Sequence, residues 1–386
     1  EPPVLPTPAD LDVDALVADA QAYVDACLAA NGEILEHVST ANVARDMDAL
    51  RAAVGDERLT YLGYSYGTLI GATYASLFPD RYRALVLDGA VDPDLYFNDP
   101  MTHSTRFLLG FEDALSRFTE ACAVDQVACS GFGGADPMAA YDALLAAAEA
   151  TPIPVVGFAA DPTPVTADEI RIVVFRLLYA KQAWGLLAAA LAEAQAGDAS
   201  IFRQLAGLLS VPDSSPSADS FFAITGSEQR WPTDIGAHLA RGAEDWAESP
   251  HFWFLGGYNH IPYALWPARD EDAYTGPFEA DSSAPPVLVV GTTHDPATPY
   301  SGAVALTEQL GNARLLTMEG DGHTAYGGNS ACIDGATDSY LVSATLPAEG
   351  TVCPQEVPFS AFQHGAPADG PAAAAAIRPM GVLSGW

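Results

Sequence analysis

"YLGYSYGTLIGATYASLFPD", residues 61–80, sets a serine between two glycines directly after a short apolar run. Upstream, "RLTYLG" from residue 58 is β-branched and aromatic and stops at Gly63. Downstream, "GTLIGATYASLFPD" regains helical spacing until Pro79. Gly63-Tyr64-Ser65-Tyr66-Gly67 therefore fits G-x-S-x-G in the setting of strand, sharp turn and helix. There the serine is forced into a strained backbone position and its hydroxyl stands exposed at the helix N-terminus. The helix dipole and the N–H of Tyr66 can stabilise the oxyanion formed when Ser65 attacks a carbonyl. The five-residue pattern alone occurs by chance in many chains, and its placement gives it weight.

Working outward, "RALVLDGAVDP" (83–93) is a continuous apolar run ending in Asp and Gly, as buried parallel strands do. "APPVLVVGTTHDPATP" (284–299) repeats the pattern, followed by the helix-like "SGAVALTEQLG" and a further strand in "ARLLTMEGDGHTAYG" (313–327). Two helices precede the serine: "DVDALVADAQAYVDACLAA" (12–30), and "TANVARDMDALRAAVG" (40–55) with Thr40 as N-cap and Gly55 as stop. Between about 95 and 280 the pattern changes to Ala- and Leu-rich helices joined by Pro-, Ser- and Asp-rich stretches such as "SVPDSSPSAD". The reading is one α/β domain in three parts. Residues 1–95 form the first part of the core, 96–280 a helical cap insertion, and 281–386 the rest of the core. The Ala-rich "PADGPAAAAAIRP" reads as a linker or frayed helix.

A serine hydroxyl is a weak nucleophile and needs a base, with a carboxylate to hold that base in the right tautomer. On this scaffold the expected order is Ser, acid, His. Asp295 follows a strand in "GTTHDPATP", and His323 follows the next one in the Gly-rich "GDGHTAYG". Asp88, Asp92 and Asp321 are competing carboxylates. The other histidines, at 37, 103, 238, 251, 260, 294 and 364, lack that late strand-end setting, and His294 is expected to face away from its neighbour Asp295.

Composition excludes several classes. The net charge of −34, from 50 acidic against 16 basic residues, repels phosphate backbones and argues against nucleic acid as a partner. No uninterrupted apolar run reaches the roughly 20 residues of a membrane-spanning helix. "EPPVLPTPAD" has neither a basic nor an apolar leader region. No cluster of His, Cys and carboxylates has ligand spacing, so no metal or organic cofactor is implied. Of five cysteines, Cys122 and Cys129 lie close together, as do Cys332 and Cys353. Two local disulfides and an oxidising compartment follow, with Cys27 left over.

With these residues in place the chain resembles the tripeptidyl aminopeptidases, exported α/β-hydrolases related to prolyl aminopeptidases. The resemblance rests on residues 40–93, on "PVLVVGTTHDPATPY", and on "GDGHTAYGGNSACIDGATDSYLVSATLPAEGTVC". It implies a serine exopeptidase that removes short peptides, tripeptides in the family's name, from a free N-terminus. Ser65, Asp295 and His323 would be the triad, and the location secreted or cell envelope.

Departures from that family bear on the reading. Only about 60 residues precede Ser65 and they read as helices, whereas such a hydrolase has strands there and a Gly-rich loop supplying a second oxyanion N–H. The Glu start, the absent strands and the odd Cys27 share one explanation: an N-terminal segment lies outside this chain, and Cys27 pairs with it or with another chain. In "AITGSEQRWP" and "PYALWP", Gly226 and Tyr263 stand where relatives often have cysteines. Glu228 stands where an acidic residue could pair with a substrate's α-ammonium, although its plainer reading is a solvated surface glutamate. Trp231, Trp253 and Trp266 read as packing residues of the insertion. The alternatives are an esterase or lactonase using the same triad, and a catalytically incomplete fragment.

Overall fold

The apolar runs around residues 85 and 290 lie at the middle of a parallel sheet, where both faces must be covered. The computed structural model describes residues 5–209 and 216–362, so His364 and the Ala-rich "PADGPAAAAAIRP" fall outside the described residues. The described residues divide into two compact units, one holding 5–6, 111–209, 216–218 and 357–362, the other 7–110 and 219–356.

The second unit carries the sheet. Strands β1 (Leu59–Tyr64), β2 (Tyr82–Asp88), β3 (Val287–His294), β4 (Ala313–Asp321) and β5 (Val352–Pro354) run in the order β1-β2-β3-β4-β5, and every pairing is parallel. Alternate residues of the central strands face opposite sides. Leu85, Leu87, Val287 and Val289 join one apolar cluster, and Ala84, Val86, Leu288 and Val290 join another. Helices α2 (Thr40–Ala53), α3 (Gly67–Leu77) and α13 (Tyr300–Leu310) cover the first face through Ala44, Leu69, Ala72, Tyr74, Ala303 and Leu306. On the second face, α14 (Ala331–Ser343) contributes Ile333 and Tyr340. Fully burying such side chains stabilises by about 1.5–3 kcal/mol each.

The same unit holds α1 (Val13–Asn31), α4 (Pro93–Asn98), α10 from Asp219 to its end in Pro216–Glu228, α11 (Ile235–Glu248) and α12 (Ile261–Leu265). Residues 219–280, grouped with the insertion on sequence, thus cluster with the sheet. Trp231, Trp253 and Trp266 are all buried in this unit. At the two positions where relatives often have cysteines, aromatic packing takes over. A Cβ on Gly226 would lie 2.9 Å from the Trp266 ring, and Tyr263 stacks on Trp231 at 4.3 Å.

The other unit is helical. It contains α6 (Pro137–Ala150), α7 (Ala167–Leu178), α8 (Trp184–Gln195) and α9 (Ser200–Leu209), together with the part of α5 (Pro100–Val124) from Phe111 onward. Ile170, Val174, Leu177, Leu187 and Leu191 are buried there, and a Thr166–Glu169 capping box starts α7. Disulfides join Cys122 to Cys129 in this unit and Cys332 to Cys353 in the sheet unit, the latter tying α14 to β5. Cys27 forms none, and sits half-buried beside Val24, Ala223 and Trp266.

One local expectation is corrected. The N-cap of α2 is Ser39, whose hydroxyl accepts from Asn42 N–H, while Thr40 is the first helical residue. Both are residue types that cap well, and Ser39 alone has the extended backbone a cap requires.

Candidate active site

The register of the sheet brings strand ends to one edge: Tyr64 pairs with Asp88, Asp88 with Val290, and His294 with Asp321. The loops after β1, β2, β3 and β4 therefore leave together, at the carboxyl ends where parallel sheets place their ligands.

Ser65 occupies the turn between β1 and α3 with φ +53°, in the left-handed region that costs a non-glycine residue about 1–2 kcal/mol. The turn is held from three sides. Ser65 N–H donates to the Asp88 carbonyl at 2.9 Å, and the Ser65 carbonyl accepts from Thr68 N–H (2.8 Å) and Thr68 Oγ1 (2.6 Å). Gly63 is required by space, since a Cβ there would stand 2.4 Å from the Gly67 carbonyl oxygen. Tyr66 is the N-cap of α3, so its N–H has no acceptor inside the helix. Ser65 Oγ is buried and has no hydrogen-bond partner among the described residues.

Asp295 and His323 are brought into direct contact. His323 Nδ1 lies 2.9 and 3.0 Å from the two Asp295 carboxylate oxygens, so Nδ1 carries the proton it donates. The carboxylate is fixed in turn by N–H groups of Ala297 (2.9 Å), Thr298 (2.8 Å) and Thr324 (3.2 Å). Both side chains are buried. Ser65 reaches this pair through one short piece of β2's exit. The Asp88 carbonyl holds Ser65 N–H, while a Cβ on the next residue, Gly89, would lie 3.0 Å from His323 Cε1.

The competing carboxylates have other partners. Asp92 caps α4 and accepts from Gln309. Asp88 is wholly buried, and its carboxylate takes the N–H groups of Ala325 (3.0 Å to each oxygen) and Tyr326 (2.8 Å). Burial pushes its pKa up to about 7, against the lowering effect of those two amides. His294 ends β3, and its carbonyl accepts from Gly322 N–H. His103 and His260 sit among aromatic rings, Tyr96 for the first and Trp231 for the second. Burial lowers their pKa values to about 4 and about 3, so both are neutral at pH 7.

Glu228 is not a solvated surface residue. It is 4% exposed at the end of α10, facing the N-terminus of α2. Oε2 accepts from Thr40 N–H (2.7 Å), and Oε1 from Thr40 Oγ1 (2.9 Å) and the Tyr96 hydroxyl (3.0 Å). Because the Thr40 hydroxyl donates to Glu228, it accepts from the Tyr66 hydroxyl at 2.7 Å. The carboxylate is thus two hydrogen bonds from the residue beside Ser65. Burial pushes its pKa up to about 7, and no cation pairs with it among the described residues. That network joins residues 40, 66, 96 and 228, a separation across which sequence spacing carries no signal. For Asp88 the signal was present, an Asp-Gly pair closing an apolar strand, but the amides its carboxylate takes come from residues 325 and 326. Among the described residues no group of His, Cys and carboxylates could hold a metal ion, and no helix is long and apolar enough to cross a membrane.

The family model described as alpha/beta hydrolase fold matches residues 20–131, and that described as TAP-like protein matches residues 259–353. The chain is similar to serine protease Hip1 of Mycobacterium tuberculosis, 34% identical over 349 residues, which cover 87% of this chain and 65% of that protein. It is similar to a tripeptidyl aminopeptidase of Streptomyces lividans, 29% identical over 86% of this chain and 62% of the relative. It is also similar to carboxylesterase B of M. tuberculosis, 34% identical over 83% of this chain and 61% of the relative. The chain thus spans less than two thirds of the length of each.

Proposed function

For this chain, which is similar to the TAP-like α/β-hydrolases, we propose a serine exopeptidase that releases short peptides, tripeptides in the first instance, from a free N-terminus. The observation that carries the reading is the Asp295–His323 pair, set one residue of backbone away from a serine in a left-handed turn. Relatives named serine protease and tripeptidyl aminopeptidase support peptide bonds as the target.

In the proposed reaction Ser65 Oγ attacks the scissile carbonyl and passes its proton to His323, while Asp295 holds the imidazole and stabilises its charged form. Tyr66 N–H at the start of α3 faces the developing oxyanion. His323 then returns the proton to the leaving amine, and water repeats the sequence on the acyl-enzyme. Glu228 is the proposed partner of the substrate's α-ammonium. Among the described residues it is a buried carboxylate without a paired cation whose Oε2 accepts one hydrogen bond, so a substrate amine would supply the missing charge. The two disulfides support an extracytoplasmic site of action, since such bonds persist in oxidising compartments.

A second reading, an esterase using the same residues, is favoured by the carboxylesterase relative. The deciding experiment treats the chain with a fluorophosphonate, with Ser65→Ala as control, then compares free-amine and N-blocked peptide nitroanilides with simple esters. A single adduct lost in the control, with turnover only of free-amine peptides, supports the exopeptidase. Equal turnover of blocked substrates and esters overturns it, and a folded chain without an adduct overturns Ser65 as a nucleophile competent in this chain alone.

A further inference from the structure

Asp88 bonds to both reactive loops. Its carbonyl holds Ser65 N–H, and its side chain holds Ala325 and Tyr326 N–H, two and three residues beyond His323. We propose that Asp88 is a positioning residue, a clasp between the nucleophile turn and the histidine loop, and that Ser65 and His323 keep reacting geometry only while its carboxylate grips those two amides. The proposal rests on the reading of Ser65 and His323 as nucleophile and base.

The choice of side chain supports it. A wholly buried carboxylate without a paired cation among the described residues is costly to desolvate. An asparagine of the same shape would avoid that cost, yet it has only one acceptor oxygen and would turn its NH2 toward an N–H donor. Ala325 N–H lies 3.0 Å from both oxygens and Tyr326 N–H 2.8 Å from one, so the site uses the whole acceptor edge of a carboxylate. The loop it grips needs gripping. Thr324, between His323 and Ala325, has φ +68°, and its N–H is taken by Asp295, so the loop has one carboxylate on either side of this strained residue.

The clasp depends on charge: Asp295 and His323 act on Asp88, and Tyr64, whose pKa Asp88 raises, stays a neutral neighbour. Burial raises the Asp88 pKa to about 7, with Asp295 adding to the rise and His323 opposing it. On acidification through that range the carboxyl gains a proton. One of its oxygens then becomes a donor facing N–H groups, and the loop loosens. Below that range the protonated Asp88 carboxyl acts against attack, and this contribution disappears in Asp88→Asn.

The test measures second-order fluorophosphonate labelling of wild type and Asp88→Asn between pH 6 and 9, alongside thermal unfolding. For a base moved by up to about 1 Å, labelling of Asp88→Asn should fall about 10- to 100-fold at pH 8. Its melting temperature at that pH should stay level or rise, because a buried charge is gone. Wild-type labelling rates with a wild-type pH profile in a folded Asp88→Asn would overturn the clasp while leaving the nucleophile reading intact. If wild type itself does not label, or the variant does not fold, hydrogen exchange of wild type decides. Protection of the Ala325 and Tyr326 amides, corrected for intrinsic rates, should fall at least severalfold between pH 8 and 6 relative to the core amides of β3. Constant protection overturns the proposal.

Discussion

Replacing Gly89 by alanine separates the stability of this fold from the alignment of its base. Gly89 has φ +67°, and a Cβ there would meet His323 Cε1 and Thr324 Cγ2 at 3.0 Å and Thr298 Oγ1 at 3.2 Å. Two costs follow. The left-handed backbone costs alanine about 1–2 kcal/mol, and crowding a packed site adds about 1–3 kcal/mol. Their sum, about 2–5 kcal/mol, is within the roughly 5–15 kcal/mol stability of an ordinary domain, so Gly89→Ala should fold. The ring has little room to yield, because Asp295 holds Nδ1, the neighbour of Cε1, at 2.9 Å. A few tenths of an ångström of forced displacement should lower the labelling rate about tenfold, given that about 1 Å can cost 10²-fold. Gly55→Ala is the control: Gly55 has φ +82° with nothing within 4 Å of an added Cβ, so it isolates the backbone cost. Urea unfolding and fluorophosphonate labelling of both variants should show Gly55→Ala losing about 1 kcal/mol and no labelling rate. A folded Gly89→Ala that labels like wild type, or a Gly55→Ala that is equally slowed, would refute the argument.

Asp295→Asn keeps the shape of the site but leaves His323 Nδ1 facing an amide, so labelling should drop by about 10³–10⁴ with little change in melting temperature. A loss below tenfold would remove Asp295 from the proposed role. Glu228→Gln should raise KM for free-amine peptides and leave kcat for simple esters within about twofold; an unchanged KM argues against the ammonium contact. The same variant tests a pH dependence. Glu228 has a folded pKa of about 7 against an unfolded value near 4.5, so the folded state holds the extra proton between those values. Stability should therefore decline as pH rises from about 4.5 to 7, by up to about 3 kcal/mol from this group, and the decline should be shallower in Glu228→Gln. Removing the Cys332–Cys353 bridge as a double serine variant should cost about 3 kcal/mol, the chain-entropy value for a loop with a separation of 21, measured by urea unfolding.

Much of this was legible in the chain itself because it is local. The turn at 63–67 needs glycine where Gly67 O comes within 2.4 Å of a Cβ, and that need is printed as G-x-S-x-G. Strands β2, β3 and β4 announce themselves because both faces of a parallel sheet are covered and the residues run apolar. The order of Ser65, Asp295 and His323 follows from which strand each one leaves. The three-residue β5 has no such run, and its place beside β4 depends on pairing of Thr317–Glu319 with residues 352–354.

Tertiary structure decided what carboxylates do. Asp88, Asp92, Asp295 and Glu228 are chemically alike in sequence, and only the donors that folding brings to each one tell them apart. For Asp295 these include the His323 imidazole, for Asp92 a helix start, for Asp88 the amides of a loop 237 and 238 residues away, and for Glu228 the first turn of α2 at a separation of 188. The reason is physical: backbone conformation responds to near neighbours along the chain, which the sequence by itself determines. The charge state and task of a buried acid are set by desolvation and by hydrogen-bond donors from distant segments, which exist only once the sheet has closed its register.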